Sequence, residues 1–152
     1  MKRPLRVLHV IDSIGPGGAE QNLLTVLPHL PPDRFENHIA WLYDDSRLLD
    51  QMAPFVASAT HLRSGHGIFH VSTAVRLAWL IAERGIDVVH AQLIRTQLVA
   101  RAASLLAGRV PVVTTWVITN YAQESLSIFG HSRRDRAAIL ALDAISSRYD
   151  SK

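Results

Sequence analysis

Apolar positions along the chain fall into two kinds of run. Short, nearly continuous, β-branched runs fit strands buried on both faces, and longer runs with apolar residues three and four apart fit helices with one buried face. The first strand is expected at residues 6–11, and Ser13, Gly15, Pro16, Gly17 and Gly18 then break any regular pattern. A helix is expected over 18–27, built on Leu23, Leu24, Val26 and Leu27 and stopped by Pro28, Pro31 and Pro32. A second strand over 36–43 closes at Asp44 and Asp45, and Ser46 is expected to cap a short helix over 47–52 that Pro54 ends. A short third strand follows at 59–62, then a loop over 63–70 bearing glycines and histidines. The strongest helical pattern is 72–84, with Val75, Leu77, Ala78, Leu80 and Ile81 on one face and Gly85 as the stop. A strand over 86–91, a helix over 96–107 stopped by Gly108, and a strand over 110–115 complete the regular part. Residues 117–131 read as a loop with a helical piece at 121–128. A helix over 132–142 and a short strand over 144–146 follow.

Strands and helices alternate throughout. That order calls for an α/β fold, a doubly wound parallel sheet with right-handed crossovers and helices on both faces. The 152 residues suffice for one domain with a real core, and no linker or internal repeat divides them.

Composition narrows the partners. With 48% hydrophobic and 19% charged residues the chain is globular rather than disordered. A formal charge of +3 is far from the basic density of a nucleic-acid binder, so no nucleic-acid partner is expected. The basic cluster Arg133, Arg134 and Arg136 reads as a solvated helix start. No cysteine is present, which excludes a disulfide scaffold and a thiolate metal site. No apolar run reaches the ~18–20 residues that span a bilayer, and the opening residues lack a signal-peptide pattern, so a cytoplasmic location is expected.

In a sheet of this kind ligands bind beyond the carboxyl ends of the strands, which here are residues 12–18, Asp44 and Asp45, 90–95 and 115–120. The turn Gly17-Gly18-Ala19-Glu20 is the strongest signal. Glycines let a ligand approach the backbone, and the first amides of the helix face an anion. Glu20 stands where a dinucleotide fingerprint has its third glycine, which disfavours a dehydrogenase, and no lysine follows to make a P-loop. There is no G-x-S-x-G elbow. His66 and His70 are four apart, but Gly65 and Gly67 argue for a loop, so no metal is expected. His9, inside the first strand, reads as a packed histidine. His90 ends the fourth at the ligand edge, where a role in the site competes with satisfaction by neighbouring backbone.

Taken together, residues 6–20, Asp87-Val88-Val89-His90, Val110-Pro111-Val112-Val113-Thr114-Thr115 and residues 142–147 resemble, in order and spacing, the N-terminal domain of family-4, GT-B-type glycosyltransferases. The resemblance covers nearly the whole chain and implies a Rossmann-like half of a GT-B fold. It also implies transfer of a sugar from a nucleotide-sugar donor, with retention and no metal or other cofactor, to a glycan or lipid-linked acceptor. In that family the C-terminal domain holds the donor, usually through an E-x7-E pattern and a basic pair. The glutamates here, Glu20, Glu36, Glu83 and Glu124, lack that spacing, so the donor-binding domain is expected to be absent and the chain inactive alone. On this basis Gly17, Gly18, Glu20, His90, Gln92, Arg95, Trp116 and Asn120 are expected at the phosphate and acceptor site. Val117 and Gln92 stand where family members often carry histidines, which points to a divergent acceptor site. Ile68 and Phe69, with Arg63 and Arg76, offer a peripheral membrane contact. A stand-alone Rossmann-like binding module that needs a partner is the alternative reading.

Overall fold

The computed structural model describes residues 3–65 and 71–115. Five strands, β1 (Leu5–Ile11), β2 (Phe35–Trp41), β3 (Ser58–His61), β4 (Val88–Gln92) and β5 (Val112–Thr115), form one sheet in the order β3-β2-β1-β4-β5, with every pairing parallel. The helices are α1 (Gly18–Val26), α2 (Leu49–Met52), α3 (Val71–Arg84) and α4 (Ile94–Leu106). This is the doubly wound α/β arrangement the alternation implied, with its switch point between β1 and β4.

The sheet separates two cores. On one face Leu8, Val10, Ala40, Val89, Ala91 and Val112 pack with Leu77, Leu80 and Ile81 of α3 and Val99, Ala100 and Ala103 of α4. On the other, Ile11, Ile39 and Trp41 pack under Leu23 of α1 and Met52 of α2. Both faces of β1 and β2 are covered, which is why those strands read as unbroken apolar runs.

Local differences from expectation have physical causes. Ser46 does not cap α2. Leu48 is the N-cap, without a side-chain bond, and the Ser46 carbonyl instead accepts from the Leu49 amide. The prolines at 28 and 54 do not stop the chain turning. Each sits at the start of a 3-10 turn, Leu27–His29 and Ala53–Phe55, where a missing N–H costs nothing. β4 begins two residues later than expected; just before it, the Asp87 carboxylate accepts from Arg3 at 2.6 Å through both oxygens and from the Arg6 amide at 2.9 Å. That aspartate ties the N-terminal segment to β4 at the edge opposite the site. The elements expected at 117–131, 132–142 and 144–146, and the basic cluster near residue 134, lie outside the described residues.

Candidate functional site

The carboxyl edge gathers the polar groups. Gly17 is the N-cap of α1 in extended conformation, and Gly18 is its first residue. A Cβ at Gly17 would collide with the Glu20 carboxylate, and one at Gly15 with that of Asp45. Carboxylate ends thus lie against the backbone at two positions of the turn. Gly18 differs: a Cβ there would meet nothing within 4 Å, so this is the point where the turn is open to a ligand. Glu20 is buried, and its Oε1 accepts from the Ser13 hydroxyl at 2.9 Å. In the first turn of α1 its charge complements the helix dipole.

Asp12, just past β1, has backbone and side chain on different duties. Its carbonyl accepts from the Tyr43 amide at 2.9 Å. Its carboxylate Oδ1 is buried with no hydrogen-bond partner among the described residues. Burial pushes the carboxyl up to about 6. Nearby Arg95 works against the rise and Glu20 adds to it.

Gln92 ends β4 almost fully buried, and its Oε1 likewise has no partner among the described residues. Leu93, which leads into α4, has φ 72° and ψ 158°, a strained backbone for a residue with a side chain. The Thr96 hydroxyl, donating to the carbonyls of Gln92 and Leu93, holds that bend. It turns the chain so that Arg95 points back over Tyr43, with its guanidinium 5.8 Å from the ring centre and 3.4 Å from the hydroxyl.

His90 is satisfied by side chains rather than backbone. Its Nδ1 lies 2.9 Å from Nδ1 of His9, and its Nε2 lies 2.7 Å from the Thr115 hydroxyl. His9 Nε2 in turn lies 3.2 Å from Asn37 Oδ1. Burial, with His90 beside it, lowers His9 to about 4, and burial lowers His90 as well.

The structure thus brings Gly17, Gly18, Glu20, Gln92 and Arg95 to one edge, with His90 one layer beneath. Trp116, Val117 and Asn120 lie outside the described residues, as do His66, Ile68, Phe69 and His70. Arg76 is engaged elsewhere, donating to the carbonyls of Leu62 and Arg63, so it braces the loop before α3.

The model of Glycosyltransferase Family 4 matches residues 16–143, most of the chain. The chain belongs to glycosyltransferase family 4. Its Rossmann-like sheet and the residues matched are consistent with the N-terminal domain of a GT-B enzyme. No curated protein matches it. Among solved structures it is similar to a mutant of the Thermobaculum terrenum O-GlcNAc transferase, with 19% identity and a TM-score of 0.54 over 74% of this chain and 20% of that one. It is also similar to a protein described as a UDP-N-acetylglucosamine 2-epimerase from Listeria monocytogenes, with 12% identity and a TM-score of 0.55 over 93% of this chain and 38% of that one. These likenesses concern the fold, and the chain spans well under half the length of either structure.

Sequence reasoning did not single out Tyr43 or Asn37; it placed Asp12 and Thr115 on the ligand edge without a role, and it read His9 as a packed histidine, which its burial bears out. The available signal was a polar residue inside an apolar strand. His9, Asn37 and His90 each interrupt such a run, and interruptions on three adjacent strands mark a shared polar layer.

Proposed function

We propose that this family-4 chain is the acceptor side of a retaining glycosyltransferase that moves a sugar from a nucleotide-sugar donor to a glycan or lipid-linked acceptor. The family match over residues 16–143 carries the reaction class. The charge of the site supports the side. Asp12 and Glu20 at the carboxyl edge favour hydroxyl groups and oppose a diphosphate, so the donor's phosphates belong with a second domain. In this reading Arg95 and the open backbone at Gly18 serve the junction of donor and acceptor. Transfer then depends on fixed positive charge supplied to the leaving diphosphate from the donor domain, with no metal. The reading includes a cytoplasmic location and inactivity of these residues alone.

The test is release of nucleoside diphosphate from UDP-glucose, UDP-N-acetylglucosamine and GDP-mannose. The chain alone should release none above the buffer rate, and a fusion to a family-4 donor domain should restore turnover. Ordinary enzymatic turnover by the chain alone would refute the division of labour.

A binding-module reading draws support from α3, where Val71, Val75 and Trp79 form an apolar stripe that is 72%, 53% and 64% exposed. Size-exclusion mass separates the two: a discrete stable oligomer favours the module and a monomer the transferase half.

A further inference from the structure

Four polar side chains on adjacent strands form one continuous row beneath the carboxyl edge. From β2 to β5 it runs Asn37 Oδ1 to His9 Nε2 at 3.2 Å, His9 Nδ1 to His90 Nδ1 at 2.9 Å, and His90 Nε2 to Thr115 Oγ1 at 2.7 Å. The parallel register puts these residues on one face, since His9 is opposite His90, and Val113, two before Thr115, is opposite His90 in turn.

With Asn37 Oδ1 facing His9 and both imidazoles neutral, the row has one self-consistent direction. A carboxamide oxygen accepts and never donates, so His9 Nε2 carries a proton. A neutral imidazole has one donor and one acceptor nitrogen, so His9 Nδ1 accepts. His90 Nδ1 must then be the donor between the rings, which leaves His90 Nε2 as an acceptor. The Thr115 hydroxyl therefore donates to His90. Burial favours the neutral form of both rings; a proton added to either would turn His90 Nε2 into a donor and free the Thr115 proton.

Thr115 is the last residue of β5 and is half-buried at the edge that holds Gly18, Gln92 and Arg95. Its single proton is committed inward, so its remaining capacity is to accept. We propose that Thr115 is a ligand-binding residue of the acceptor site, kept acceptor-only by the Asn37–His9–His90 row, and that it takes a hydrogen bond from a hydroxyl of a sugar or cyclitol acceptor. The substrate class rests on the transferase reading given above; the direction of the row does not. His90, His9 and Asn37 are positioning residues, since they act through Thr115. Two further observations agree. Asp12 Oδ1 and Gln92 Oε1, at the carboxyl ends of β1 and β4, are also acceptors without a donor among the described residues. Acceptors at the ends of three strands fit a ligand rich in hydroxyls, and Arg95 supplies a donor beside them.

The row can be read directly. In the chain labelled with ¹⁵N-histidine, two-bond N–H correlations at about pH 7.5 should show the proton on Nε2 of His9 and on Nδ1 of His90. A proton on His90 Nε2 would reverse the row and overturn the proposal, because Thr115 would then point its own proton outward. Thr115→Val should move the His90 Nε2 resonance and Thr115→Ser should restore it; equal spectra for all three forms would also overturn it. Titration with methyl α-glucoside or myo-inositol should shift His90 Nε2 in the native chain and not in Thr115→Val, while sodium acetate and inorganic phosphate should not. A shift with the anions instead, or with neither class, removes the ligand-facing role. Failure of the transferase reading appears elsewhere, as no turnover by the donor-domain fusion, and leaves the tautomers and the response to hydroxyl probes in place.

Discussion

Replacing Asp12 by asparagine should make this protein more stable at neutral pH and less active. Burial pushes the carboxyl up to about 6 in the fold, against an ordinary value of 3.8. Between those values the folded chain holds a proton that the unfolded chain has released. Stability therefore falls as pH rises across the window. A shift of roughly two units is worth about 3 kcal/mol, an upper bound because part of the residue meets solvent. His9 acts in the opposite sense. Its folded value of about 4 lies below the ordinary 6.5, so the unfolded chain binds the proton first and stability rises with pH over that window, also by about 3 kcal/mol. In the native protein the two slopes nearly cancel between about pH 4 and pH 6. In Asp12→Asn the Asp12 slope is gone and that of His9 stands alone.

The assay is urea unfolding of both proteins at about pH 3.5, 5 and 7. The carboxamide keeps the shape, so any constant cost of the substitution drops out when the pH values are compared. With an m-value of roughly 1–3 kcal/mol/M, the midpoint of Asp12→Asn should gain on the order of 1 M relative to native between the lowest and highest pH. A difference between the two proteins that is flat with pH would show that burial does not govern this carboxyl, and the argument for an active-site charge kept at the expense of stability would fail with it. The activity half of the prediction is read in the donor-domain fusion, where Asp12→Asn should lower transfer at least tenfold.

Gly18→Ala should fold as well as native or gain up to about 1 kcal/mol, since the added methyl meets nothing and alanine is the better helix former, yet it should weaken acceptor binding measured by calorimetry on the fusion. Gly17→Ala should instead lose stability, because Glu20 must be displaced, and equal melting temperatures for the two variants would contradict the geometry. Gln97 is fully buried with both amide atoms unpartnered among the described residues, so Gln97→Met should stabilise by about 1–3 kcal/mol in denaturant titration. Its destabilisation would reveal a partner for that amide. Arg3 and the Arg6 amide hold the Asp87 carboxyl below its usual range, so Asp87→Asn should cost stability at neutral pH and cost progressively less as the pH falls through the carboxylate range, followed by thermal melts. Chelator should leave transfer by the fusion unchanged.

The fold was legible because the core residues obey two clean periods. Leu8 and Val10 face one side, Ile11 and Ile39 the other, and Leu77, Leu80 and Ile81 sit at helical spacing. The site was legible only as an edge. The carboxyl ends could be named from the strands, but whether a side chain there reaches a ligand depends on long-range neighbours. Glu20 illustrates this: in sequence it is a carboxylate beside a phosphate-type turn, and in the fold it bends back over Gly17 to meet Ser13. Asp87 was matched as part of a family motif with His90, three residues away. The fold puts Asp87 just before β4, bracing the N-terminal segment, and His90 in the middle of β4 rather than at its end, in the polar row. Ser46 looked like a cap from its residue type alone, but capping needs a helix that starts directly after it, and α2 starts at Leu49.

One face of the sheet joins these observations. Over β1 and β2 it carries Ile11, Ile39 and Trp41, covered by α1 and α2. Toward β4 and β5 the same face turns polar through His9, His90 and Thr115. An apolar filling there would be more stable, because burying two neutral imidazoles and a carboxamide gains little net energy once their hydrogen bonds to water are lost. What the polar row supplies is direction. Each member fixes the proton of the next, so a group at the edge of β5 is set by a carboxamide three strands away. Replacing any inner member by an apolar residue of similar size would leave the Thr115 hydroxyl free to rotate and offer its own proton outward. For that reason His9→Leu should be tolerated by the fold and still degrade discrimination between hydroxyl and anionic ligands.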